Sequence, residues 1–91
     1  MDFVHYDLHQ LSAGEVVEVT LANAANVRLL DEHNFALYRQ GAQHRFYGGY
    51  VTQSPYRLNV PSAGHWHVVI DLGGYSGQIR SSVRVMSNHV G

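Results

Sequence analysis

Apolar and polar residues take turns over short stretches of this chain, and turn-forming residues separate the stretches. That is the pattern of half-buried β-strands. Phe3–Asp7 reads as a short first strand and Leu11-Ser-Ala-Gly14 as a turn. Over Glu15–Leu21, Val17, Val19 and Leu21 fall on one face, with Glu18 and Thr20 on the other. Asn23–Asn26 is a connection, and Asn26–Leu30 a third strand with Val27 and Leu29 inward and Arg28 outward.

The period then changes. Asp31–Gly41 reads as a short helix, with Asp31 as N-cap, Glu32 and Arg39 at the ends where the dipole favours them, and Gly41 as the residue that stops it. Phe35 and Tyr38, three apart, share the face expected to pack on a sheet. Strand character resumes over Arg45–Thr52, where Gly48-Gly49 predicts a bulge or sharp bend. Tyr56, Leu58 and Val60 alternate with Arg57 and Asn59, and Pro61–Gly64 is a turn. His65–Leu72 is the clearest strand, with Trp66, Val68, Ile70 and Leu72 on one side. Gln78–Val85 closes the chain with Ile79, Val83 and Val85 inward, and Ser87–Gly91 reads as a frayed tail. The expectation is an all-β fold of about seven strands with one short helix, a mainly antiparallel sandwich or small open barrel. One domain spans residues 1–91, its ordered core running over roughly 3–86.

Composition narrows the function. The net charge of −1 gives no electrostatic basis for nucleic acid or an anionic membrane. There is no cysteine, so disulfides, thiolate chemistry and cysteine–zinc sites are out. No signal peptide or apolar membrane-spanning run is evident, and a free-standing cytoplasmic protein is expected. Neither a nucleophile elbow nor a phosphate-binding glycine loop occurs.

Two constellations carry candidate chemistry. Residues two apart on a strand point the same way, so His65, His67 and Asp71 share the side of their strand opposite Trp66. Two imidazoles and a carboxylate suit Fe(II), Mn(II) or Zn(II), and the spacing resembles the first metal motif of cupins, with Asp71 in place of the usual glutamate. The competing expectation is that both imidazoles are ordinary surface groups. His5 and His9 join the cluster if the first strand lies beside His65–Leu72, while His33 and His44 read as surface residues. The other constellation is Arg80, Ser82 and Arg84 on the last strand. With Arg57, His65 and His67 turned to the same side, they would form a face for a carboxylate, a phosphate or an acidic protein patch. Against this, the arginines can instead pair with Glu15, Glu18 and Asp71. Six tyrosines add surface suited to interfaces or to core packing.

The segments Asn23–Asp31 with Asn34-Phe35 and Tyr38, Tyr47-Gly48-Gly49, Ser54-Pro55, Gly64–Asp71 and Ser81–Val85 together resemble a small bacterial family, domain of unknown function 1883. The likeness runs from His5 to Val85. It implies a compact β-rich fold with no assigned activity. Some relatives carry the domain beside a TIR signalling domain, which suits a recognition module. The leading expectation is therefore a non-catalytic binding module without a cofactor, possessing His65, His67, Arg80, Arg84 and Arg57 as contact residues and a protein or small anionic ligand as partner. A metal-dependent cupin-like enzyme using His65, His67 and Asp71 is the second expectation, and a self-associating structural domain the third.

Overall fold

The computed structural model describes residues 3–75 and 77–87. In chain order the elements are β1 (Phe3–Leu11), β2 (Val16–Leu21), β3 (Ala25–Asp31), α1 (Glu32–Arg39), β4 (Tyr47–Val51), β5 (Tyr56–Asn59), β6 (Gly64–Asp71) and β7 (Ser81–Met86). They form two antiparallel sheets, a four-stranded one ordered β1-β6-β3-β4 and a three-stranded one ordered β5-β2-β7. The fold is thus the expected β-rich one, an open two-sheet arrangement rather than a closed barrel. No helix among the described residues is long and apolar enough to cross a membrane.

The main core fills the space between the sheets. Val17, Val19 and Leu21 of β2 meet Val27 and Leu29 of β3 and Trp66, Val68 and Ile70 of β6, all buried. The alternation read from β2, β3 and β6 is what places them there. The outer face of the four-stranded sheet is covered in part by α1. Leu30 and Val69 pack there against Phe35 and Tyr38, a second, smaller core. The helix is specified locally: the Asp31 carboxylate accepts from the Asn34 N–H at 2.8 Å. At the other end, Gly41 at φ 73° lets its N–H reach Tyr38 O and that of Ala42 reach Leu37 O, closing the last turn.

Three local expectations are corrected. β1 runs past Asp7 to Leu11, with a bulge between Asp7 and Gln10. That bulge shifts the phase, so Leu11 enters the core although Phe3, His5 and Asp7 face outward. Gly48-Gly49 is not a bulge: Val27 pairs with Gly49 and Arg28 with Gly48 in regular register. The glycine at 48 reflects a close backbone approach, since a Cβ there would lie 2.3 Å from Val27 O. Val85, expected inward, is 37% exposed, next to the last residue of an edge strand. The tail expected at Ser87–Gly91 lies, beyond Ser87, outside the described residues, as does His89.

Gly48→Ala should therefore destabilise the fold by about 1–3 kcal/mol, the cost of forcing a side chain into a sterically blocked, positive-φ position. Urea unfolding measures this, and an unchanged midpoint would contradict the close approach.

Candidate functional site

The helix-side face of the four-stranded sheet carries two polar clusters, one at each end of α1. Strand β6 supplies both through alternate residues: His65 and His67 at one end, Asp71 at the other, with Val69 between. The spacing of four residues from His67 to Asp71 corresponds to about 13 Å of strand.

At the far end, Asp71 is fully buried and fully engaged. Its carboxylate accepts from Asn26 Nδ2 at 3.0 Å, the Gly73 N–H at 2.9 Å and Tyr38 Oη at 2.9 Å, and pairs with Arg28 Nη1. Arg28 lies over the rings of Tyr38 and Phe46. Burial alone would raise the Asp71 carboxyl, but the hydrogen bonds from Asn26, Gly73 and Tyr38 and the Arg28 charge together hold it below its ordinary range. Burial, and then the bond to Asp71, push the Tyr38 hydroxyl up, so it remains a donor. This cluster ties α1 to the sheet and presents no open ligand position.

At the near end the arrangement is different. β1 pairs with β6, so His5, Asp7 and His9 come alongside His65 and His67, the condition on which the first strand's histidines join them. Glu32, the first residue of α1, reaches down to both imidazoles. His65 Nδ1 lies 2.7 Å from Glu32 Oε2 and its Nε2 2.7 Å from Asp7 Oδ1. His67 Nε2 lies 3.3 Å from Glu32 Oε1, and its Nδ1 2.8 Å from His5 Nε2. Phe35 stacks on His5 and on His67, each at 4.2 Å between centroids, and the His65 and His67 rings stack at 4.6 Å. At the β1 bulge, His9 has φ 58°, donates its N–H to Asp7 Oδ1 at 2.9 Å, and sets its ring 6.0 Å from that of His65.

The electrostatics follow from placement. His67 is 3% exposed, not a surface group. Burial lowers its pKa despite the Glu32 and Asp7 charges, and burial together with His67 lowers that of His5. The lowered values favour the neutral imidazole of both at neutral pH. Asp7 is held at about 2, chiefly by the His9 N–H and then by His65. His65 bridges two carboxylates, yet a neutral imidazole has one N–H and cannot donate to both. A cation at this point, either a second proton or a metal ion, satisfies both acids. Among the described residues, two sets of side chains bring ligand atoms within 4.8 Å of one another: Glu32, His65 and His67, and Asp7, His9 and His65.

Two sequence-based assignments need correction. The acid that accompanies His65 and His67 is Glu32, supplied by the helix, and Asp71 stands at the opposite end of α1 with its oxygens occupied. The basic face joining Arg57, Arg80 and Arg84 to the histidines does not form, because β5, β2 and β7 make their own sheet. Arg57 and Arg84 sit directly opposite Glu18 on either side of it, on that sheet's outer surface, and both bond its carboxylate. The hydrogen bond from Arg84, with that from Arg57, outweighs burial and lowers the Glu18 pKa. Arg80 is exposed ahead of β7, where its carbonyl accepts from the Ala22 N–H.

Sequence reading missed Asp7 and Glu32 as members of the site. Glu32 was visible only as a helix-start acid, and nothing local in its surroundings indicates which strand the helix crosses.

A family model described as domain of unknown function (DUF1883) matches residues 1–89. No curated protein and no solved structure matches the chain.

Asp71→Asn should cost about 3–5 kcal/mol at neutral pH by leaving Arg28 without its buried partner. Because the folded carboxyl titrates below its ordinary value of 3.8, the contribution is fully present above that pH. It is lost as pH falls through the folded value, so the stability gap between wild type and variant should close in acid. Denaturant unfolding at a series of pH values measures it, and a gap that is small at neutral pH would contradict the assignment.

Proposed function

The chain belongs to the family of domain of unknown function 1883, and from that starting point we propose that it is a non-catalytic binding module whose ligand is a divalent transition-metal ion. The ion is held by Glu32, His65 Nδ1 and His67 Nε2. The observation that carries this reading is that Glu32, His65 and His67 bring one ligand atom each within 4.8 Å of one another.

The donor chemistry supports it. Two imidazole nitrogens and a carboxylate oxygen are a usual set for Zn(II), Fe(II) or Mn(II). Metal-bound histidines usually donate their remaining N–H to a fixed acceptor, which sets the tautomer. Here Asp7 can accept from His65 Nε2 and His5 from His67 Nδ1, leaving the Glu32-facing nitrogens free to ligate. Phe35 stacking keeps His5 and His67 in place. Glu32 is well exposed, so an ion has an entry path and positions open to water or to a partner's side chain.

Calorimetric titration of the untagged chain with Zn(II) tests the reading. Wild type should bind, His67→Ala combined with Glu32→Gln should not, and Asp7→Asn should bind about 10–100-fold more weakly. Equal binding by wild type and the double variant would remove this site.

A second reading, self-association, draws on one observation. β4 is an edge strand whose Tyr47 and Tyr50 are exposed, a surface able to pair with another copy. Light scattering should then show a dimer that Tyr50→Lys weakens; a monomer at high concentration contradicts it.

A further inference from the structure

His65 belongs to both ligand sets, and it contributes a different nitrogen to each. Its Nδ1 lies 2.7 Å from Glu32 of the first set, while its Nε2 lies 2.7 Å from Asp7 of the second. We propose that the His65 imidazole is shared by two transition-metal ions, one with Glu32 and His67 on Nδ1 and a second with Asp7 and His9 on Nε2. This rests on the reading of the Glu32 set as a metal site and adds a second ion to it.

The geometry of β1 supports the second position. The bulge between Asp7 and Gln10 returns Leu11 to the core, but His9 is held at φ 58°, a conformation uncommon for a residue with a side chain. Its N–H is tied to Asp7 Oδ1, and its Nδ1 lies 3.6 Å from the same oxygen. The His9 ring, although 80% exposed, is therefore brought beside the Asp7 carboxylate, with its centroid 6.0 Å from that of His65. Bulges of this kind re-aim side chains next to functional sites.

The charges are compatible with two ions. With a metal on each nitrogen, the ring N–H proton of His65 leaves to solvent and the imidazolate carries a negative charge. Together with the Asp7 and Glu32 carboxylates it faces two dications, leaving a single net positive charge spread over the pair. Two neutral imidazoles, from His9 and His67, complete the donor sets. No redox change accompanies loading. The first ion enters with Asp7 accepting from His65 Nε2, and the second replaces that proton.

The test uses Cu(II) as probe on the full chain without an affinity tag, following bound copper by elemental analysis and electron paramagnetic resonance. An imidazolate bridge couples the spins of two Cu(II) ions. The first equivalent should give the signal of an isolated ion, and the second should bind and abolish most of it. His9→Ala, checked for native circular dichroism, should keep the first equivalent and its signal and lose the quenching. If two equivalents bind with additive signals, as copper on His33 or His44 would give, the shared imidazole is refuted. If only one equivalent binds, and Glu32→Gln with His67→Ala removes it, the second ion is refuted while the single-ion reading stands. If no copper is retained, both fail.

Discussion

Strand β6 has to satisfy two cores at once, and the rest of the structure depends on that. It is an inner strand of the four-stranded sheet, with β1 on one side and β3 on the other. Trp66, Val68 and Ile70 fill the space between the sheets, and the alternate residues His65, His67, Val69 and Asp71 meet α1. A slip of one residue would put imidazoles and a carboxylate into the main core and the indole against the helix. Burial on both faces makes such a slip costly, so the positions of the polar groups on the helix side are fixed as firmly as those of the valines opposite.

The two ends of the helix use acids in opposite ways. Asp71 accepts bonds from three neighbours besides its pairing with Arg28, so its charge serves to anchor α1. Glu32 and Asp7 instead turn toward imidazoles and remain open to water. An acid satisfied on every side is structural, whereas Glu32 and Asp7 share the one ring of His65, a nitrogen each. The same helix therefore closes one polar cluster and leaves the acids of the other open to solvent.

Much of this was legible in the sequence. The alternation along Glu15–Leu21 and His65–Leu72 identified the core face, and Asp31, Glu32 and Gly41 marked the helix, because those signals are local. The shared side of His65 and His67 followed from strand geometry. What could not be read was the non-local pairing. That β1 neighbours β6, bringing His5, Asp7 and His9 to the site, depends on strand order. That α1 crosses β6 with Glu32 over the histidines and Tyr38 over Asp71 depends on how a helix docks. The basic face expected from Arg57, Arg80 and Arg84 failed for the same reason: its strands pair around Glu18 in the other sheet. The glycines at 48 and 49 looked like a bulge because a close backbone approach leaves the same local signature.

The most direct test of the central claim is an anomalous difference map from crystals of the chain grown with Zn(II), recorded at the zinc edge. The account predicts a peak about 2.0–2.2 Å from His65 Nδ1, His67 Nε2 and a Glu32 oxygen. A zinc peak confined to other histidines, with Glu32 still in direct contact with both imidazoles, would contradict it.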